Sequence, residues 1–243
     1  MTHFDPDYLA ALIRKLERLA PLDDADRQAI AALPVRVETV PAGAQLVNRG
    51  DTMTACCVLL EGYSHRYKQA ANGNRQIVSF HLAGDIMDLQ HLMLPTADHG
   101  IQTLTEATIA WIPLVALQAV MKARQKIGDA FWRDTLIDAS IFREWVLNVG
   151  QRDAKSRVAH MLCEFVVRRE AAGLGGPGSL ALPMSPDHIA DATGLTIVHV
   201  NRMLTALEND GVIRLDNGRV TVADWDGLRK SADFDISYLH MAA

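Results

Sequence analysis

The stretch SPDHIADATGLTIVHVNRMLTALENDG, residues 185–211, decides the fold of this chain. It opens with Ser185 and Pro186, a pair typical of a helix N-terminus: the hydroxyl caps free N–H groups, and the missing proline N–H costs nothing there. Gly194 then predicts a tight turn, because glycine accepts backbone angles that a side chain disfavours. Thr196 is placed to cap a second helix. The stretch therefore predicts two short helices joined by a turn.

The second predicted helix has two contrasting faces. Apolar residues recur at helical spacing and predict a buried face: Val200, Met203, Leu204 and Leu207. The other face is the candidate DNA-binding surface: Ile197, Val198, His199, Asn201, Arg202 and Thr205. We also count Ser185 and Thr196 as candidate DNA contacts. This arrangement is typical of a helix-turn-helix, whose second helix enters the major groove. The alternative is a helical hairpin packed only for stability.

A predicted β-hairpin follows the second helix. Residues 212–215 and 219–222 have the pattern of two strands, and Asp216-Asn217-Gly218 between them predicts a turn, since Asn-Gly favours type I′. A hairpin in this place is typical of the wing of a winged helix. It adds three candidate DNA contacts: Arg214, Asn217 and Arg219.

The net charge of −5 shows that the whole chain is not a basic nucleic-acid binder. DNA binding would then depend on local positive charge, on geometry and on dimerisation. The candidate cations are Arg202, Arg214 and Arg219, with Lys155 and Arg157 nearby in sequence. The acidic residues that oppose them are Asp187, Asp191, Glu208 and Asp210.

The chain has no apolar run of the about 20 residues that a membrane span needs, and no signal-peptide pattern at its start. Its three cysteines lack metal-site spacing, and their odd number suits a reducing compartment. We therefore expect a cytoplasmic protein with no membrane partner and with structural thiols.

The first half of the chain predicts two helices and then a β-roll. Helices are expected over 8–19 and 22–33, and short strands separated by glycine-containing turns over 35–113. This pattern is typical of a compact antiparallel barrel or roll. A short helix is expected over 114–123.

A long helix is predicted from Gly128 to about Val149, with Gly150 as its end and as a hinge. Because it is apolar on more than one face, it must be covered on more than one side. We expect it to form a dimer seam through three residues at spacing four: Ile137, Ile141 and Trp145. The alternative is a helix buried in the core of its own chain. A further helix is expected over 152–171, and the tail after Trp225 gives no clear signal.

These segments occur in the order of the cyclic-AMP receptor/Fnr (Crp/Fnr) family of bacterial transcription regulators. GNRQIVSFHLAGDI, residues 73–86, resembles the roll of Fnr-type members, and residues 189–213 resemble the family's helix-turn-helix from end to end. The resemblance implies an α+β fold with three parts: a cyclic-nucleotide-binding-like sensory roll with the N-terminal helices over 1–127, a dimerisation helix over 128–150, and a winged helix over 151–243.

The resemblance also implies a function. A homodimer would bind a two-fold symmetric site on double-stranded DNA, one recognition helix per half-site, under the control of an effector in the roll. RNA polymerase would be a partner, and the protein would not be an enzyme.

The recognition helix departs from the family pattern at two positions. Thr196 and Arg202 match it, but Val198 stands where members commonly carry a glutamate that accepts from a cytosine amino group, and Asn201 replaces serine or glycine. The usual target sequence therefore does not transfer. Val198 and Ile197 are suited to thymine methyl groups.

The ligand side of the roll departs further. Asp88 and Leu89 fall at the family's Gly-Glu positions for the ribose, and His99-Gly100 at its Arg-Ser positions for the phosphate. The cation that would pair with a cyclic phosphate is absent from its place. We expect Gly84 and Asp85 to shape a turn. The candidate effector pocket comprises Gly84, Asp85, Asp88, Leu89, His99 and Gly100.

The cysteines and histidines of the sequence indicate which cofactors to expect. The N-terminal cysteine cluster of Fnr-type members is missing, so we expect no iron–sulfur cluster of that kind. Four histidines lie in the roll without close metal-ligand spacing, and we expect no metal site from His65, His81, His91 and His99. The effector is thus unidentified. A cupin-like roll binding a metal or small molecule, and a signalling adaptor using its winged helix for protein contacts, are the alternatives.

Overall fold

The computed structural model describes residues 8–177, 182–216 and 219–241. The chain forms two compact units. The first runs to Tyr67 and includes His81–Ala139, and the second holds Lys68–Phe80 and Ser140–His240.

Two short helices open the first unit, α1 (Ala10–Glu17) and α2 (Asp24–Ala31). Both are shorter than the predicted segments. Asp23 caps α2 by accepting a hydrogen bond from the Asp26 amide at 2.9 Å, and the Asp26 carboxylate accepts from the Asp23 amide at 3.1 Å. These two reciprocal hydrogen bonds satisfy backbone N–H groups that would otherwise be free, and so they fix where the helix begins.

The predicted antiparallel roll is confirmed. Its strands are β1 (Arg36–Val40), β2 (Gln45–Val47), β3 (Ala55–Glu61), β4 (Ser64–Gln69), β5 (Arg75–His81), β6 (Gly100–Thr103) and β7 (Ala107–Pro113). They form two sheets, in the orders β1-β7-β3 and β2-β6-β4-β5. Cys57, Leu59, Ile101 and Ile109 belong to the buried core of the roll.

Two helices follow the roll, α3 (Leu114–Ala123) and the long α4 (Gln125–Gln151). The prediction that Gly150 ends the long helix is wrong, because α4 continues through it to Gln151. The next helix, α5 (Ala154–Ala171), is capped by Asp153, whose carboxylate accepts from the amides of Lys155 and Ser156 at 2.9 and 3.0 Å. That cap, rather than the glycine, sets the break in the chain.

The predicted winged helix is confirmed within the described residues. It contains α6 (Pro186–Thr193), α7 (Ile197–Asn209), β8 (Ile213–Asp216) and β9 (Arg219–Val222). The predicted turn residues Asn217 and Gly218 lie outside the described residues. The tail, which gave no clear signal, forms α8 (Trp225–Ala232) and a 3-10 turn (Ile236–Leu239).

The predicted dimer seam needs a correction. Ile141 and Trp145 are buried within the chain, 6% and 7% exposed, and Ile137 is half-buried. The Trp145 ring packs edge-on against Phe80, and its Nε1 donates to Glu164 Oε2 at 2.9 Å. Ile141 and Trp145 therefore pack within the chain itself, whereas the place of Ile137 in a dimer seam stays a prediction.

Glu164 and His160 are buried titratable groups in the interior of the second unit. Glu164 accepts from Trp145 and also from the Tyr238 hydroxyl at 2.9 Å. The His160 ring stacks on Tyr238, with centroids 5.7 Å apart, and lies 5.2 Å from the Phe234 ring. Burial, with a smaller contribution from Arg152, lowers the pKa of His160 to about 3. A neutral imidazole of α5 thus packs against two aromatic rings of the tail.

We expect the second unit to lose stability on mild acidification because of His160. Its pKa is lower in the folded chain than in the unfolded chain, so the unfolded chain gains the proton first as the pH falls below about 6.5. The loss from this residue is about 2 kcal/mol at pH 5. His160→Phe keeps a ring between Phe234 and Tyr238 and removes the titration.

Urea unfolding of both proteins at pH 7 and pH 5 measures this. The substituted protein should lose less unfolding free energy between the two pH values than the wild type. His81, whose pKa burial lowers to about 4, titrates with the same sign in both proteins and serves as the common background. Equal losses in the two proteins would contradict the assignment.

No helix among the described residues is both long enough and apolar enough to span a membrane.

Candidate nucleic-acid interface and effector pocket

Local caps fix both helices of the helix-turn-helix. Ser185 Oγ accepts from the His188 amide at 3.3 Å, and His188 Nδ1 accepts in return from the Ser185 amide at 3.3 Å. Gly194 ends α6 with φ +66°, a left-handed conformation that favours glycine. Thr196 Oγ1 then accepts from the His199 amide at 3.3 Å and starts α7. Each of these positions was predicted from its residue type.

Helix α7 presents one buried and one exposed face. Val200, Leu204 and Leu207 are buried as predicted, and Met203 of the predicted buried face is half-buried. The exposed face carries Thr196, Ile197, Val198, Asn201, Arg202 and Thr205. His199 is half-buried and lies at the flank of this face. We call the exposed set, with His199 left out, the α7 surface.

Three arginines supply positive charge around the α7 surface. Arg202, Arg214 and Arg219 are exposed, and no ion pair joins any of them to another described residue. The two other candidate cations have structural roles. Lys155 pairs with Asp210, and the Arg157 guanidinium donates to the Thr193 carbonyl at 2.9 Å.

Three of the four opposing acidic residues also have partners. Besides Asp210, the Asp191 carboxylate pairs with Arg75 Nε at 2.7 Å. Glu208 Oε1 accepts from the Leu215 amide at 2.8 Å and so ties α7 to the wing. These contacts reduce the negative charge that an approaching phosphate would meet.

The sequence does not indicate the contacts that residues 75 and 76 make. Besides the pair between Arg75 and Asp191, Gln76 Nε2 donates to the Ala192 carbonyl at 3.0 Å. Both contacts join the outer part of the β4–β5 hairpin to α6. Partners 116 residues apart leave no local signal.

In the roll, Gly84 and Asp85 form the predicted turn. Gly84 has φ +95°, and a Cβ there would lie 2.7 Å from the Ala11 carbonyl oxygen, so glycine is required. Asp85 Oδ2 accepts from the Leu82 amide at 3.0 Å, and its Oδ1 pairs with Lys15 Nζ at 2.9 Å. Lys15 also pairs with Asp134 of α4 at 2.8 Å. Both residues of the turn are therefore structural.

Asp88 is also turned into the protein. It is fully buried, and its Oδ1 accepts from the Cys57 amide at 2.8 Å. Burial raises the pKa of its carboxyl to about 6, partly offset by the Cys57 hydrogen bond. Its neighbour Leu89 packs against the core of the first unit. Neither side chain is placed as a ribose ligand.

Other side chains of the protein lie directly against His99 and Gly100. His99 Nδ1 lies 2.8 Å from Asp98 Oδ1 and its Nε2 3.2 Å from the Gln90 amide nitrogen, a pattern that suits the neutral tautomer. Burial lowers the pKa of His99, and the ring stacks on His91 with centroids 6.0 Å apart. A Cβ at Gly100 would lie 2.4 Å from the Tyr67 ring.

One buried guanidinium lies near this region. Arg66 Nη1 pairs with Asp138 of α4 at 3.0 Å, and its Nη2 donates to the Met87 carbonyl. This arginine thus bridges the roll and α4 with its own protein partners.

Two sequence profiles match the two parts of the chain. That of the cyclic nucleotide-binding domain matches residues 37–124, and that of the Crp-like helix-turn-helix domain matches residues 156–231. The chain belongs to the Crp/Fnr family. It is therefore a DNA-binding transcription regulator. The match to a helix-turn-helix profile and to named transcriptional activators favours this function over the cupin-like and adaptor alternatives.

Relatives of this Crp/Fnr protein align over most of its length. It is 28% identical over 199 residues to "Transcriptional activator protein FnrL" of Cereibacter sphaeroides, which covers 80% of this chain and 79% of the relative. It is 29% identical over 188 residues to "Nitrogen fixation regulation protein FixK" of Rhizobium meliloti, covering 76% and 82%. FixK2 from Bradyrhizobium japonicum shares the fold, with a TM-score of 0.74 at 23% identity over 82% of this chain and 97% of that one.

The residues in this roll do not fit the cyclic nucleotide that the domain's name implies. A cyclic phosphate needs a paired cation or several N–H donors. Here His99 is neutral and engaged, the Tyr67 ring covers Gly100, and Arg66 is bound by Asp138 and Met87. Asp88 adds a buried carboxyl beside them.

We expect cyclic AMP and cyclic GMP to bind weakly at best. Calorimetric titration of nucleotide-free protein should give no saturable heat in the micromolar range, because the interactions missing here are each worth roughly 1.5–3 kcal/mol in charge-assisted form. DNA affinity should be the same with and without nucleotide. Micromolar binding together with a gain in DNA affinity would overturn this expectation.

The absence of a bound metal ion and of an iron–sulfur cluster stays a prediction. Among the described residues, no group of three or more His, Cys, Asp or Glu side chains is placed to hold a metal ion. The three cysteines are buried free thiols, and burial raises the pKa of Cys163 to about 12. These thiols are unreactive at neutral pH.

Proposed function

We propose that this Crp/Fnr protein binds a two-fold symmetric DNA site as a homodimer, with one α7 in the major groove of each half-site. The observation that carries the proposal is the α7 surface: an exposed helix face with Asn201, Arg202 and Thr205, held by two capped helix ends and supported by exposed arginines of the wing. Such side chains match the hydrogen-bonding groups of base edges and phosphates.

The dimer would form through an exposed apolar stripe on α4. Trp132 is 65% exposed and Leu136 49% exposed, one helical turn apart, on the side opposite to Ile141 and Trp145. Further along the same helix, Val146 and Leu147 are 70% and 45% exposed. Large apolar side chains in contact with water at helical spacing favour a partner surface. A second copy of α4 is the partner that a two-fold axis supplies.

RNA polymerase is the second proposed partner, supported by relatives that are named transcriptional activators. We further propose that the protein is not an enzyme, that it needs neither a cyclic nucleotide nor an iron–sulfur cluster, and that it acts in the cytoplasm, where bacterial DNA lies. The contacts of His99 with Asp98 and of Tyr67 with Gly100 support the statement that no cyclic nucleotide is needed.

Selection from a random DNA library tests the proposal. Purified full-length protein at about 0.15 M salt, with excess competitor DNA, should enrich one inverted repeat, because specific sites are bound typically 10³–10⁷ times more tightly than other DNA. Enrichment of no sequence, together with no DNA binding at low salt, would contradict it and favour the adaptor alternative.

A further inference from the structure

Two branched apolar side chains stand at the start of the α7 surface. Val198 is 69% exposed and Ile197 44% exposed. They are not needed for the core, because α7 already packs through Val200, Leu204 and Leu207 on its other side. An apolar pair in the first turn of a helix that presents polar groups elsewhere is a recognition feature in its own right.

The position of these methyl groups is well defined. Thr196 caps α7 directly before Ile197, so the first turn begins at a fixed residue. A valine or isoleucine in a helix takes one strongly preferred χ1 rotamer, because two heavy atoms branch at Cβ. The side chains therefore present a preorganised apolar surface.

In the major groove, only one base carries a matching group. Thymine exposes a C5-methyl, whereas cytosine exposes an amino donor and the purines expose N7 and polar substituents. An aliphatic side chain pressed against those polar atoms leaves them without a partner, which is unfavourable. An exposed valine in the groove is therefore better matched to thymine than to the other bases.

The spacing along α7 relates this contact to a second one. Arg202 lies four residues after Val198, on the same face and about 6 Å further along the axis at 1.5 Å per residue. Base pairs are about 3.4 Å apart, so the two side chains reach bases within about two steps of each other. Arginine most often reads guanine in the major groove.

We propose that Val198, supported by Ile197, determines DNA specificity by contacting a thymine methyl, within about two base pairs of a guanine read by Arg202. This inference rests on the proposed function, and it names the base chemistry that the α7 surface selects.

The test removes single methyl groups from the DNA. Each thymine of the selected operator is replaced, symmetrically in both half-sites, by deoxyuridine, which lacks only the C5-methyl. Affinity for full-length protein is measured by fluorescence anisotropy. At one or two positions per half-site, the wild type should bind about fourfold more weakly per methyl lost, or about fifteenfold for the symmetric pair.

A protein variant removes the other partner of the same contact and completes a double-mutant comparison. Val198→Ala should bind the thymine operator more weakly and should no longer distinguish thymine from deoxyuridine at that position, since the contacting group is gone. Val115→Ala is the matched control: Val115 is 74% exposed on α3 of the first unit, and its loss should leave the thymine-to-deoxyuridine ratio unchanged. Unchanged binding of both variants to random DNA at low salt verifies that they are folded.

The outcomes separate the two proposals. A wild type that binds its operator specifically but shows no deoxyuridine effect, or a Val198→Ala protein that keeps the wild-type ratio, overturns the inference and leaves the proposed function intact. A wild type that selects no operator contradicts the proposed function itself, and the inference with it.

Discussion

Leu136→Glu should convert the dimer to monomers and weaken operator binding by about two to four orders of magnitude, because linking two half-site contacts in one molecule raises affinity by that factor. Leu136 is half-exposed on the apolar stripe of α4, one turn from Trp132. A carboxylate placed in a closed seam would be buried without a partner, which is strongly unfavourable. Light scattering for the mass and anisotropy for the affinity measure the two effects.

Val115→Glu is the matched control for this prediction. Val115 is 74% exposed on α3, so the same charge is added to an exposed aliphatic residue that is not part of the α4 stripe. This protein should stay dimeric and bind as the wild type does. A dimeric Leu136→Glu protein with wild-type affinity would place the dimer interface elsewhere than on this stripe.

Arg202→Ala should have the second large effect, because a homodimer loses the contact in both half-sites. A base-reading arginine contributes roughly 1–3 kcal/mol per half-site, so the symmetric loss amounts to about 30-fold to about 10⁴-fold in affinity. The preference for guanine at the contacted position should relax as well. Arg202 is exposed and joined by no ion pair to another described residue, so its loss breaks no ion pair in that part of the chain.

The salt dependence distinguishes base reading from phosphate binding by Arg202. If it contacts only phosphate, the variant binds all sequences more weakly and the slope of log affinity against log salt falls by about one per contact. Arg229→Ala, on the exposed side of α8, is the control and should leave affinity unchanged. Wild-type affinity of the Arg202 variant for its operator would remove this residue from the interface.

Local chemistry explains why the winged helix could be predicted. Ser185, Gly194 and Thr196 act through hydrogen bonds and backbone angles within a few residues, so residue type alone indicates them. The same holds for the turn at Gly84-Asp85, which residue type predicts and the structure shows. The two residues are also candidate effector-pocket residues in the sequence, but their contacts in the structure are those of the turn.

Long-range packing explains the failures. Helix α4 is apolar on two faces, and periodicity does not say which face the rest of the chain covers; the structure covers Ile141 and Trp145 and leaves Trp132 and Leu136 exposed. Gly150 suggests a helix end because glycine disfavours helix interiors by about 1 kcal/mol, but α4 continues past it by one residue to Gln151.

The contacts in the candidate effector pocket could not be predicted from the sequence either. The sequence indicated that the family's ligand residues are missing, but not what stands in their place. Tyr67 over Gly100 and the His91–His99 stack join residues from different strands and turns. Only the fold brings such partners together.

Hydroxyl-radical footprinting of the full-length protein on its selected operator tests the central claim most directly. A homodimer with one α7 in each half-site should give two equal protected regions on one face of the duplex. They should be related by a two-fold axis, with their centres about one helical turn, 34–36 Å, or a multiple of it apart. A single protected region, or protection that does not follow sequence, would contradict a homodimer that places one α7 in each half-site.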